Sequence, residues 1–217
     1  ELNHGSIIDG CRLTKAQRLI YKHRDMGELE NCLREADTSS RRLLVISDAV
    51  FSMDGDIAPV DRIAHAAEPY GAMVYIDDSH GEGVLGDGGR GAANHFHVED
   101  KVHIEMGTFS KALGVVGGYA AGSDDLRLFA LNKSRTWLLS ASHPPATIAS
   151  CIAAIDVLET EPKWVERLWK NTRYFKKQLV SLGFDIGHSE TPITPVMLGE
   201  SSVAKRFSDR LYEEGVF

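Results

Sequence analysis

Ile104-Glu105-Met106-Gly107-Thr108-Phe109-Ser110-Lys111-Ala112-Leu113-Gly114-Val115-Val116-Gly117-Gly118 is an apolar run that delivers one lysine into a glycine-rich turn. A lysine at the exit of a buried strand, with Thr108 and Ser110 just ahead of it, is expected to be partly desolvated and nucleophilic enough for Schiff-base chemistry. Upstream, Gly71-Ala72-Met73-Val74-Tyr75-Ile76-Asp77-Asp78-Ser79-His80-Gly81 is a second apolar strand, ending in acid and imidazole. Open α/β sheets bind ligands at the carboxyl ends of their strands, so Asp77, His80 and Lys111 are expected to share one crevice.

Working outward, the chain alternates strand and helix, the mark of a mostly parallel sheet with helices on both faces. Strands are predicted at 17–22, 43–48, 72–77, 102–107 and 117–121, and helices at 26–36, 59–69, 124–133 and 145–160. From Glu161 the stripe Trp164, Leu168, Trp169, Thr172, Phe175 and Leu179 reads as one amphipathic helix whose apolar side is core. Ser201 or Ser202 is expected to cap a last helix with apolar face Val203, Phe207 and Leu211, closed by Gly215 and leaving that face exposed. The division expected is a large α/β domain over 1–160 and a linking helix with the start of a smaller α+β domain over 161–217.

A carboxylate, an imidazole three residues on and a separate lysine match what pyridoxal 5'-phosphate needs. The acid keeps the pyridine nitrogen protonated so that the ring acts as an electron sink, the imidazole bonds the ring hydroxyl, and the lysine forms an imine. An Asp-x-x-His pair by itself more often marks a capped strand end or part of a metal site, so the weight lies on the three together.

These residues sit among five motifs in a fixed order: Leu2-Asn3-His4-Gly5-Ser6-Ile7-Ile8-Asp9-Gly10, Val50-Phe51-Ser52-Met53-Asp54-Gly55-Asp56-Ile57-Ala58-Pro59, Asp77-Asp78-Ser79-His80-Gly81, Gly107-Thr108-Phe109-Ser110-Lys111-Ala112 and Thr191-Pro192-Ile193-Thr194-Pro195-Val196. Together they resemble the α-oxoamine synthases, fold-type I pyridoxal-phosphate enzymes that condense an amino acid with an acyl-CoA. The resemblance assigns His4 to stacking on the cofactor ring, Ser52 to a contact near the ring hydroxyl and Asp77 to the pyridine nitrogen. It gives His80 the phenolic oxygen, Thr108 the phosphate and Lys111 the imine and the Cα proton. Bland readings stand beside these: His4 as a loop histidine, Ser52 as a turn former ahead of Asp54-Gly55, and Thr108 as a half-buried strand residue.

The segment 134–145 is similar to a family stretch that reaches the cofactor phosphate of a neighbouring subunit. The hydroxyls of Ser140 and Ser142 remain there, Thr136 and Trp137 replace the usual Pro and Phe, and an extended segment is expected. The resemblance therefore implies a homodimer with its sites at the interface. Within the family the wording is closest to the glycine C-acetyltransferase branch, so the expected reaction joins glycine to acetyl-CoA, giving 2-amino-3-oxobutyrate and coenzyme A. The alternative is the 8-amino-7-oxononanoate synthase branch, which uses alanine and a pimeloyl thioester. Relative to the family, roughly the first third and the last stretch are absent from the 217 residues. The glycine-rich phosphate turn and an asparagine fall before residue 1, and the carboxylate-binding arginine falls after residue 217.

Composition sets further bounds. Lysine plus arginine number 24 against 31 acids, a net charge of −7, which gives no basic footprint for nucleic acid or an anionic membrane. Cys11, Cys32 and Cys151 are odd in number and widely spaced, which fits a reducing cytosol and neither a disulfide scaffold nor a zinc cluster. No apolar run reaches transmembrane length. Gly81-Glu82-Gly83-Val84-Leu85-Gly86 satisfies the dinucleotide fingerprint, but Asp87-Gly88-Gly89-Arg90-Gly91 follows where a helix must begin. A nicotinamide oxidoreductase is therefore a remote alternative. A non-catalytic subunit is another, and the presence of Lys111 argues against it.

Overall fold

A computed structural model describes residues 1–38 and 40–217. Its centre is a four-stranded sheet in the order β1-β2-β3-β4, formed by Leu44–Asp48, Met73–Asp77, Ile104–Thr108 and Gly118–Gly122. β1, β2 and β3 run parallel, and β4 folds back antiparallel on β3. The sheet is thus mostly parallel, as the alternation of elements predicts, with a mixed edge.

One face carries the core. Side chains alternate along a strand, and Val45, Val74 and Ile76 point to the side covered by α2 (Met26–Asp37) and α3 (Val60–Ala67). Met26, Leu29 and Leu33 come down from α2, and Val60, Ile63 and Ala67 from α3, all into one buried cluster. The Asp25 side chain accepts the Glu28 amide and so caps α2.

Residues 17–22 do not form the expected fifth strand. The free edge of β1 beside them is occupied by a side chain: the Asn3 amide donates to Ile46 O and accepts from Asp48 N, both at 3.1 Å. A β-rich run with no ladder to join stays irregular. The residues ahead of it instead give a short helix, α1 (Gly5–Arg12), capped by His4.

Beyond β3, α4 (Ala92–His95) precedes that strand in sequence, and α5 (Asp124–Lys133) follows β4. The predicted extended segment at 134–145 instead begins with a helical turn, α6 (Arg135–Leu138). No proline interrupts 135–143, so the helix conformation remains open there. α7 (Pro145–Thr160) is apolar on all sides, yet Ile148, Ile152, Ile155 and Val157 are exposed.

α8 (Lys163–Ser181) follows after Glu161-Pro162. Only part of its stripe is core: Thr172 is buried and Trp169 packs on the central cluster, donating its indole N–H to Val84 O at 2.8 Å. Trp164 and Phe175 are exposed. α9 (Ser201–Glu213) has Glu200 at its N-cap and no side-chain cap bond, so neither Ser201 nor Ser202 caps it. Gly215, at φ 82°, ends it as predicted, while Phe207 is half-buried edge-on to Phe184.

Two of the sequence motifs clamp each other. Gly55 O accepts Glu190 N, Thr191 N and Thr191 Oγ1 at 2.9 to 3.1 Å. A Cβ at Gly55 would fall 2.4 Å from Ile193 O, so only glycine fits this turn at φ 70°. Arg24 adds an ion pair from the chain's start, bridging Asp56 and Glu190 at 3.1 and 3.0 Å.

Candidate active site

The carboxyl ends of β1, β2 and β3 converge on one edge of the sheet, and each carries a functional group there. Asp48 ends β1, Asp77 ends β2 directly opposite it in register, and Thr108 ends β3. Just past β3, Lys111 Nζ donates to Thr108 Oγ1 at 3.3 Å. The lysine is exposed, so the expected desolvation is absent: the turn at 109–114 carries it outward, past the end of the sheet.

Asp77 is buried, and its Oδ1 accepts the Ser79 amide at 3.0 Å, which turns the chain sharply after β2. That turn brings His80 back to the same edge. Burial, then the Lys111 charge, hold the His80 imidazole below its usual pKa, while Asp77 pulls the other way. His80 is therefore neutral near pH 7. His4 reaches the group from the other side, its backbone N–H donating to Asp48 Oδ2 at 2.8 Å and its Nδ1 lying 2.8 Å from Ser6 Oγ.

Asp48 was not among the residues singled out in the sequence. It is 4% exposed, accepts the His4 amide on Oδ2, and has a buried Oδ1 with no partner. Burial, followed by the Asp77 charge, pushes its pKa up to about 7 against the pull of the His4 amide and Lys111. Its one sequence signal is its place at a strand end, one strand over from Asp77.

His4, Asp48, Asp77, His80, Thr108 and Lys111 thus lie together. Ser52, Ser140 and Ser142 do not join them by any hydrogen bond among the described residues. Ser52 sits in the turn after β1, and Ser140 Oγ donates to Trp137 O at 3.1 Å. Ser142 adopts φ 62°, next to a His143 that packs edge-on to Phe109.

Behind β3 lies a second buried acidic group. Asp78 is fully buried and accepts the Ala92 amide at 2.7 Å on Oδ2; burial raises its pKa and that of the neighbouring Glu105. Gly81 and Gly91 leave room for it, since a Cβ on either would lie within 2.2 Å of an Asp78 oxygen. The glycines of 81–91 therefore wind a loop about a buried carboxyl. They do not lead into a pyrophosphate-binding helix, as the sequence predicts.

This donor set suits pyridoxal phosphate: a buried carboxylate at a strand end, a neutral imidazole beside it, and a primary amine that reaches solvent. No group of three or more His, Cys, Asp or Glu side chains is placed to hold a metal among the described residues. Among the described residues, no helix is long and apolar enough to cross a membrane.

Comparison with known proteins agrees with the donor set. The family described as aminotransferase class I and II matches residues 1–217. An 8-amino-7-oxononanoate synthase of Symbiobacterium thermophilum is 55% identical over 217 residues, covering 100% of this chain and 55% of the relative. The 8-amino-7-oxononanoate synthase 1 of Bacillus subtilis is 54% identical, with the same coverage. Among solved structures, serine palmitoyltransferase from S. paucimobilis with a bound PLP–myriocin aldimine superposes with a TM-score of 0.93 at 31% identity, over 100% of this chain and 56% of that one. An 8-amino-7-oxononanoate synthase from Francisella tularensis gives a TM-score of 0.84 at 25% identity, over 100% and 63%.

The chain spans about half the length of the curated relatives it matches. Relatives that are 51 to 55% identical carry the name 8-amino-7-oxononanoate synthase, which overturns the glycine and acetyl-CoA expectation. The motifs quoted for the resemblance are ones that both branches share, so they do not separate one acyl donor from the other.

Proposed function

The chain belongs to the aminotransferase class I and II family, in its α-oxoamine synthase branch, and from that membership we propose that it carries the cofactor-binding part of a pyridoxal 5'-phosphate enzyme joining alanine to a pimeloyl thioester. The observation that carries the substrate assignment is the identity of 51 to 55% to proteins named 8-amino-7-oxononanoate synthase. The cluster at the carboxyl edge of the sheet supports the cofactor independently.

When bound, the cofactor supplies an electron sink for negative charge developing at the amino-acid Cα. The protein's own groups then divide the work. Asp77 would keep the ring nitrogen protonated, and its buried position at the strand end would keep water from competing for that contact. His80, neutral near pH 7, would offer an N–H to the phenolic oxygen. Lys111 Nζ, exposed beside Thr108, would hold the cofactor and, as a free amine, would serve as the base for the Cα proton. Thr108 offers a hydroxyl to the phosphate from the same turn, with Ser140 and Ser142 serving a phosphate across a homodimer interface. His4 would cover the ring, and Ser52 would contribute a contact near its hydroxyl. The working enzyme is a cytoplasmic homodimer in this reading, with residues 1–160 forming the large domain and 161–217 opening the small one.

Coenzyme A release, measured on the protein at the full length of its relatives, tests the proposal. Alanine with pimeloyl-CoA is expected to turn over faster than glycine with acetyl-CoA, and the reverse preference would overturn the assignment.

A further inference from the structure

His4 is joined to the sheet by two consecutive residues, and both contacts end on Asp48. Asn3 spans the free edge of β1 with its side-chain amide: Nδ2 donates to Ile46 O and Oδ1 accepts from Asp48 N, both at 3.1 Å. The His4 backbone N–H then donates to Asp48 Oδ2 at 2.8 Å. The backbone and the side chain of one strand residue are thus engaged together. That residue is itself fixed, since Asp48 lies in register with Asp77 and Ala49 N continues the pairing by donating to Asp77 O at 2.8 Å.

On the other side of His4 the chain turns at once into α1. The ring Nδ1 accepts the Ser6 amide at 3.3 Å and lies 2.8 Å from Ser6 Oγ, so the imidazole caps the helix and its orientation is tied to that first turn. No side chain of α1 is buried, so packing does little to place the start of this helix, and the polar contacts of Asn3 and His4 do so instead. Asp48 suits that task because it is 4% exposed: water cannot compete for its bond to the His4 amide. An acid buried beside another acid, with its Oδ1 lacking a partner, does not stabilise a fold, so what Asp48 contributes is the acceptor it offers to His4.

We propose that Asp48, with Asn3 bound to its backbone, is the positioning residue that sets His4 at a fixed place one strand over from Asp77, where the imidazole covers the cofactor ring. The inference rests on the pyridoxal-phosphate reading and adds to it two residues that the division of work above does not use. Asp48 acts through His4 alone. Its charge is dispensable, because an amide oxygen at the same point accepts the His4 N–H as well.

A double-mutant cycle with His4→Ala separates this role from a structural one. The measurement is the dissociation constant for pyridoxal phosphate, from quenching of tryptophan fluorescence in the protein at the full length of its relatives. His4→Ala removes the ring and is expected to weaken binding about three- to tenfold, the scale of one aromatic stacking contact. Asp48→Leu keeps a branched shape without an acceptor and should weaken binding by about threefold or more while His4 is present. Once residue 4 is alanine, the same change should alter affinity by less than about twofold. Asp48→Asn, which keeps an acceptor, should stay within about twofold of the parent. If Asp48→Leu does not fold, Asn3→Ala loosens the same attachment from the backbone side and is expected to show the same loss with His4 and none without it. A leucine variant with parental affinity, an asparagine variant as weak as the leucine one, or a loss that persists undiminished beside His4→Ala overturns the role of Asp48. A His4→Ala variant with parental affinity overturns it too, with the imine at Lys111 still visible in the absorbance spectrum. A parent protein that forms no imine at Lys111 overturns the cofactor reading itself, and this inference with it.

Discussion

Replacing Asp48 by asparagine should flatten the pH dependence of stability. In the folded chain this carboxyl keeps its proton up to about pH 7, against 3.8 for the unfolded group, because it is buried beside Asp77. Between those values the folded state binds more protons than the unfolded one, so stability falls as pH rises, and the loss is complete above about pH 7. A difference of about three pKa units corresponds to about 4 kcal/mol, of which about 2 to 3 kcal/mol falls between pH 5 and pH 8. Asparagine keeps an acceptor for the His4 amide and cannot ionise, so that share vanishes. Asp78, Glu82 and Glu105 are raised in the same direction and give both proteins a residual slope. Urea unfolding of the cofactor-free protein at pH 5, 6.5 and 8 measures the difference. Parent and variant should differ most in slope between pH 5 and 6.5 and run nearly parallel above about pH 7, the variant having gained about 2 to 3 kcal/mol on the parent between pH 5 and pH 8. Two curves that stay parallel across the range would refute the claim that Asp48 is protonated in the fold.

Other perturbations have equally definite outcomes. Lys111→Ala should abolish coenzyme A release while leaving some cofactor bound, seen as the loss of the imine absorbance with residual fluorescence quenching. Asp77→Asn keeps the shape but removes the negative charge facing the ring nitrogen. Its coenzyme A release should fall at least about tenfold, a barrier increase of about 1.4 kcal/mol or more, and by more than its cofactor affinity does. Gly107→Ala drives a methyl into Glu82 and the Tyr119 ring. It should cost about 1 to 3 kcal/mol in urea unfolding and weaken cofactor binding, because the strain falls next to Thr108. Ile76→Ala, at a fully buried position under the end of β2, should cost about 2 to 5 kcal/mol by the same assay.

The sequence alone determined the elements whose cause is local. The four strands of the sheet, α5 at 124–133 and α7 at 145–160 follow from periodicity and turn residues within each segment. The cofactor chemistry was legible for a similar reason, since Asp77, His80 and Lys111 each stand at a strand end, and strand ends are visible in a one-dimensional pattern. The run at 17–22 looked equally like a strand and is not one, because the edge it needed is held by Asn3, a residue whose role depends on where β1 lies. The motifs do not distinguish the acyl donor, because both branches of the family share them.

Only the tertiary structure decided the groups that act across distance in the chain. Asp48 reads as one more acid after an apolar run until β1 is paired with β2, which places it beside Asp77 and takes it out of water. Glu82 reads as the middle of a glycine loop until β3 and β4 bring Gly107 and the Tyr119 hydroxyl against its carboxylate. In both cases the residue's environment comes from burial and from a hydrogen-bonding group on another segment, the His4 amide for Asp48 and the Tyr119 hydroxyl for Glu82. Neither is encoded within a few residues of the side chain itself: a buried polar group must find its partner wherever the fold brings one, and that partner is fixed by the packing of the whole sheet.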